Sequence, residues 1–255
     1  MRGDTSARPT AAERERFEAA IVAETTPGYM AVRALIALGG ETNERLARST
    51  TMGREFVAGV RRRVADGKGA ALFAERPSTV ERVLDTATEH IVAAGRCELA
   101  IGGVSATLGI PRRTLHRLYT ATELLEACQR RALTIWRARF ECRIRRVDAD
   151  DVERLFLVAD AIADWVGSDR FHGDQVLTPP LSAQARGEEL RDFFAALERF
   201  ATGLAQQAQV ADPRAFGTFV AINVAGAPAW FDRCEEAHAL AVAFVERLTG
   251  APRRT

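Results

Sequence analysis

Apolar residues recur three and four positions apart through nearly the whole chain, and no stretch sustains a two-residue alternation. That rhythm constrains the fold most, because one face of a helix repeats about every 3.6 residues whereas one face of a strand repeats every two. Val80, Val83, Leu84, Ala87 and Ile91 share one such face. A longer run carries Leu124, Leu125, Leu133, Trp136, Phe140, Ile144 and Val147, and Asp148, Asp150 and Asp151 interrupt it. Further stripes follow at Val152, Leu155, Phe156, Ala159 and Ile162, and at Leu190, Phe193, Phe194, Leu197, Ala201 and Leu204. Ala, Leu, Arg and Glu are abundant while β-branched and aromatic residues are thin, which favours helix over sheet. The spacing predicts an all-α fold.

Punctuation sets the boundaries. Ser78 with Glu81 and Thr120 with Glu123 have capping-box spacing, so helices are expected to open at both places. Asp212 before Pro213 suits another helix start, leading to a final pair over about Pro213–Ala225 and Glu235–Leu248, broken near Gly226 and Pro228. Residues 167–187, rich in Gly, Pro and polar side chains, read as a loop. Ahead of all this, Arg14–Glu24, Met30–Leu38 and about Thr42–Val64 look helical. Ala31, Val32, Leu35 and Ile36 match Ala215, Phe216, Phe219 and Val220 at one constant offset, a correspondence that any two amphipathic helices can produce, with a partial duplication of the last helix pair as the alternative. The expected organisation is an N-terminal helical extension over 1–75, a three-helix head over 76–130 and a C-terminal helical domain over 131–255.

Several function classes find no support. Cys97, Cys128, Cys142 and Cys234 are widely spaced and read as reduced thiols, and His90, His116, His172 and His238 are scattered, so neither a disulfide framework nor a metal site is expected. Two ligands such as His172 and Asp174 do not make a site. No apolar run approaches the roughly 20 residues that span a bilayer, and the first residues lack the apolar core of a secretory signal; a cytoplasmic protein with no membrane partner is expected. There is no GxSxG elbow, HExxH, Walker A loop or full dinucleotide fingerprint, so no catalytic residue and no cofactor is assigned.

The informative stretch lies between Val80 and Leu125. An apolar helix ends at Gly95, a short helix over about Ala100–Leu108 ends at Gly109, and a third runs from about Pro111 to Tyr119. Two short helices joined at a glycine make a helix-turn-helix, whose second member enters the major groove of DNA. Arg112, Arg113 and Arg117 sit on that member with Thr114 and His116, while Ile110, Leu115 and Leu118 can face inward. Arginine grips guanine edges or phosphates, and from Pro111 to Val147 the arginines far outnumber the glutamates. Because the whole chain carries only +1, such local clustering has to supply any nucleic-acid surface.

These residues resemble the TetR family of transcription regulators. Its I-A-x-x-x-G-V turn reads here as Val104-Ser105-Ala106-Thr107-Leu108-Gly109-Ile110, and its T-L-Y-x-Y-F-x-x-K-E-x-L segment as Thr114-Leu115-His116-Arg117-Leu118-Tyr119, with Glu123 and Leu125 following. The match spans about 50 residues without gaps. It implies DNA-binding residues Arg112, Arg113, Thr114, His116, Arg117, Tyr119 and Thr122. The chain departs from the pattern at His116, where the family has Tyr, at Thr122, where it has Lys, and at Leu99 and Ala100, where it has a capping Thr or Ser. Gly102-Gly103 also weakens the first helix, by about 1 kcal/mol per glycine.

The resemblance extends to residues 131–250, which look like the family's effector and dimer domain. Trp165 followed by Asp169-Arg170-Phe171-His172-Gly173 is similar to a stretch in many members. By that likeness the chain would be a homodimeric regulator, most often a repressor, that releases its double-stranded DNA operator when a small-molecule effector binds. Trp136, Phe140, Phe156, Phe193, Phe194 and Phe219 are the candidates for lining an apolar effector pocket, against the plainer alternative of core packing. The competing reading is a degenerate helical dimerisation or ligand-binding module that no longer recognises specific DNA.

Overall fold

A computed structural model describes residues 9–23, 25–94, 99–146, 148–168, 183–226 and 234–253. Gly95, Cys97, Val147, the Asp169–Gly173 stretch, Asp174 and Pro228 lie outside the described residues. Among the described residues the chain forms twelve α-helices and one short 3-10 helix, with no strand, and no helix is long and apolar enough to cross a membrane. It divides into two compact units, Met1–Arg139 and Phe140–Thr255.

The first unit is built on α2 (Gly28–Leu38), in which every residue from Ala31 to Ala37 is buried. A helix covered on all sides is a core element rather than a surface one. α1 (Ala11–Val22) packs on it, opened by a reciprocal capping box between Thr10 and Glu13. α1 buries Phe17 against Phe73, with ring centroids 5.7 Å apart. The expected helical span from Thr42 to Val64 is two helices, α3 (Asn43–Thr50) and α4 (Arg54–Ala65), separated at Thr51–Gly53. The Thr42 hydroxyl caps α3, and Val57, Val60 and Val64 turn α4 inward. A left-handed Gly67 closes α4, and the 3-10 helix η1 (Gly69–Phe73) follows.

α5 (Thr79–Ala94), α6 (Ile101–Leu108), α7 (Arg112–Leu118) and the start of α8 (Ala121–Arg146) complete this unit. Both expected capping boxes form. The Ser78 amide donates to Glu81 at 2.7 Å and the Glu81 amide to the Ser78 hydroxyl at 3.3 Å. Thr120 and Glu123 make the same reciprocal pair at 2.7 and 3.2 Å.

Glu81 has a second role that local spacing does not reveal. Its carboxylate is wholly buried and takes two hydrogen bonds from Arg33 of α2, at 2.7 and 2.8 Å. The remaining Arg33 donors reach the carbonyl oxygens of Leu72, Glu75 and Arg76. Nearby, Asp85 of α5 accepts the Tyr29 amide at 3.3 Å and pairs with Arg131 of α8. The leading segment is therefore fastened to α5 by a buried ion pair as well as by apolar packing, and Asp85 in turn ties α5 to α8.

The second unit holds the end of α8 with α9 (Asp151–Ser168), α10 (Ala183–Gln207), α11 (Pro213–Gly226) and α12 (Cys234–Thr249). α9 packs on α10, α11 and α12, with Leu155, Phe156, Ala159, Leu197, Ala201, Phe216, Val220 and Val245 in its core. Asp150 caps α9 through the Glu153 amide at 2.8 Å. Asp212 does the same for α11 through Ala215 at 3.0 Å, with Pro213 in the first helical position. α10 and α11 approach closely at Gly217, where an added Cβ would stand 2.6 Å from the Glu198 carbonyl oxygen.

Candidate nucleic-acid interface

The turn between α6 and α7 follows from its residues. Gly109 ends α6 at φ 65°, ψ 25°, a left-handed conformation that costs glycine nothing. The Ile110 amide returns to the Ser105 carbonyl at 3.1 Å, and the Ser105 hydroxyl donates to the Ile110 carbonyl at 2.6 Å. Two reciprocal bonds thus lock the turn. Pro111 then sets the extended cap from which α7 begins.

α7 is anchored by Leu115, which is 1% exposed. A helix advances 100° per residue, so Arg113 and Arg117 project almost opposite that anchor. Arg112, Arg113, His116, Arg117 and Thr122 are exposed, and Thr114 is half-buried. Leu118, expected to face inward, is 42% exposed. Tyr119 turns the other way. Its ring is half-buried, and burial pushes the phenol above the ordinary tyrosine value, with Cys128 adding to the shift and Arg131 opposing it. Glu123 is fully exposed, and its hydrogen bonds from the Thr120 backbone and side chain hold its carboxyl below the usual glutamate value.

The glycine pair inside α6 has a local explanation. A Cβ on Gly102 would lie 2.5 Å from the Arg112 guanidinium, so this side chain rests across the first turn of α6. A Cβ on Gly103 would stand 3.1 Å from the His90 ring, whose Nε2 lies 2.9 Å from the Thr107 hydroxyl. Both glycines therefore admit a neighbouring side chain, and α6 gives up helix propensity for tight packing. Arg112 consequently leans back along the head, leaving Arg113 and Arg117 as the outward pair. Ala100 begins α6 without a side-chain cap, as the sequence implied.

Of the aromatic candidates, Trp136 belongs to the first unit and the other five to the second. There Phe140 meets Phe200 edge-on at 6.0 Å, Phe193 meets Phe194 at 5.2 Å, and Phe219 stacks on Phe244 at 4.0 Å. Phe156 lines a cleft of about 400 Å³, shared with Asp150, Glu153, Asp160, Gln207 and Arg253. Its Asp160 is paired with Arg253 at 2.7 Å and with His238 at 2.8 Å. Among the described residues no three His, Cys, Asp or Glu side chains cluster as a metal site would require. Sequence reasoning missed the proximity of Arg112 to Gly102, although the paired glycines were its signal. No protein-family model, no curated protein and no solved structure matches this chain.

Proposed function

We propose that the chain is a DNA-binding transcription regulator in which α7 reads the major groove. One observation carries the reading: α7 leaves a locked left-handed turn, buries Leu115, and presents Arg113 and Arg117 to solvent on the opposite side. That is the geometry a helix-turn-helix needs, with arginine where guanine edges or phosphates would lie. A homodimer is the expected working form, because a two-fold pair of such heads matches two half-sites. Ile222 of α11 and Leu240 of α12, 64% and 57% exposed, support a self-association surface on the last two helices. A small-molecule effector entering the cleft beside Phe156 would act by its difference in affinity for operator-competent and incompetent geometries.

The test is binding by the full chain to duplexes selected from a random DNA pool, measured across a salt series. The parent should show a sequence preference and lose affinity steeply with salt. Arg113→Ala with Arg117→Ala should erase that preference and reduce the salt slope by about one for each phosphate that is no longer neutralised. An unchanged preference in the double variant refutes the assignment of α7. A parent without any preference leaves the degenerate-module reading standing instead.

A further inference from the structure

The turn at Gly109 has a twin earlier in the chain. α3 and α6 are each eight residues long. Each is followed by a left-handed residue, Thr51 at φ 60°, ψ 22° and Gly109 at φ 65°, ψ 25°. An apolar residue comes next, the buried Met52 and the half-buried Ile110. Then stands an extended cap, Gly53 or Pro111, and then a helix opening on Arg54 or Arg112. The correspondence is gapless. It pairs Leu46 with Val104 and Val57 with Leu115, and all four side chains are buried.

We propose that Asn43–Ala65 is a second helix-turn-helix that contacts double-stranded DNA, so that each protomer presents two recognition helices, α4 and α7. Charge makes DNA the fitting occupant. This stretch holds six arginines against two glutamates in a chain whose net charge is only +1. Val57, Val60 and Val64 face inward, so helical geometry turns Glu55, Ala58, Gly59 and Arg62 outward. Ala58 and Gly59 keep the middle of that face low, and an added Cβ on Gly59 would meet nothing within 4 Å. The helix backbone can thus approach base edges closely. Arg62 can reach a guanine or a phosphate there, and Glu55 can accept from a cytosine amino group.

The arginines of this segment divide by role. Arg61 donates to the Gly39 carbonyl and the Asn43 side chain, and Arg63 pairs with Glu75 at 2.5 Å; both are half-buried and hold the head together. Arg48 and Arg62 are exposed and form no ion pair among the described residues. Arg54 is bridged to Glu44 at 2.6 Å, but both side chains are more than half exposed, and such a surface pair breaks at little cost. The two heads are also fixed to each other. Arg33 of α2 clasps Glu81 of α5, and the Thr134 hydroxyl of α8 donates to the Ser49 carbonyl at the end of α3, at 2.8 Å.

The inference extends the reading of α7, and one experiment separates them. The full chain is tested on its selected duplex by nuclease footprinting and titration, beside Arg48→Ala with Arg62→Ala and, separately, Arg113→Ala with Arg117→Ala. Melting curves matching the parent's verify folding, and Ala58→Glu, which sets a negative charge on the outward face of α4, is an independent check. The Arg48–Arg62 double variant should weaken binding at least ten-fold and shorten the protected region at one edge, while base preference inside the α7 footprint persists. Should only the α7 pair matter, the second element is overturned and the first reading stands. Should only the Arg48–Arg62 variant matter, the inference stands and the assignment of α7 falls. If neither variant changes binding, both are wrong.

Discussion

Removing Arg33 should undo the first unit more thoroughly than any change at the proposed DNA surface. Arg33→Met keeps most of the volume and deletes the charge and five hydrogen bonds. The Glu81 carboxylate is then left fully buried without its cation, which costs about 3–5 kcal/mol. The Leu72 carbonyl loses its side-chain donor in a buried setting, adding about 1 kcal/mol or more, while the carbonyls near the exposed Arg76 can turn to water. A loss of about 4–6 kcal/mol compares with the roughly 5–15 kcal/mol that holds a typical domain together. Because the chain has two units, a single melting temperature is a poor readout. Hydrogen exchange followed peptide by peptide in the full chain, across a urea series, would assign the loss to α2, α5 and η1. Pairing Arg33→Met with Glu81→Leu should be milder than Arg33→Met alone, since no orphan charge remains. Destabilisation below about 1 kcal/mol in the single variant, or a double variant worse than both singles combined, would refute the argument.

Three further outcomes are expected. Thr51 is a β-branched residue held in the left-handed region, so Thr51→Gly should stabilise the first unit by up to about 1 kcal/mol, read as a higher urea midpoint; a lower midpoint would mean that its side chain contributes more than its backbone costs. The phenolate absorbance of Tyr119, isolated by comparison with Tyr119→Phe, should titrate above the ordinary value of about 10. Its folded-state value is raised, so the stability it contributes is complete below the unfolded value and disappears as pH climbs through the folded one. Glu123 has the opposite sign: its contribution is present above the unfolded carboxyl value and fades as pH falls through the depressed folded one, and Thr120→Val, which removes the hydroxyl but keeps the backbone donor, should lessen the depression without abolishing it in a carboxyl NMR titration.

Local signals were legible and long-range ones were not. The caps at Ser78, Thr120 and Asp212 lie within three residues of their partners, so spacing alone locates them. Gly109 announced its turn because glycine is the residue that tolerates it freely. Thr51 concealed the same turn, since threonine gives no such cue, and the apolar rhythm runs on across the break. Leu46 and Val57 stand about three helical turns apart, so an uninterrupted helix would place them on one face as well. Arg33 sits in the apolar run of α2 with a partner far along the chain, and no periodicity exposes such a pair. The aromatic candidates show a related limit of pattern: Phe219, Phe193 and Phe140 find rings to pack against, and a sequence stripe cannot distinguish a wall of a cavity from a piece of core.

The leading segment also changes what the proposed DNA-reading head can be. The shift near residue 75 is a change in sequence character and not a break in packing, because Arg33 of α2 binds both Glu81 and the Leu72 carbonyl of η1, and Tyr29 of α2 supplies one partner of Asp85. Without residues before Ser78, α5 would present Glu81, Asp85 and the apolar surface that α2 now covers. Since α5 is the floor on which α6 rests, with His90 packed against Gly103, the orientation of α7 depends on that cover. The segment is therefore part of the head's structure whether or not it touches DNA. Its own left-handed turn and outward arginines are what a second reading element requires, whereas a buttress needs only the inward residues Arg33, Arg61 and Arg63. Arg48 of α3 and Arg62 of α4 are exposed and form no ion pair among the described residues, and that surplus is the reason to look for DNA at this second turn.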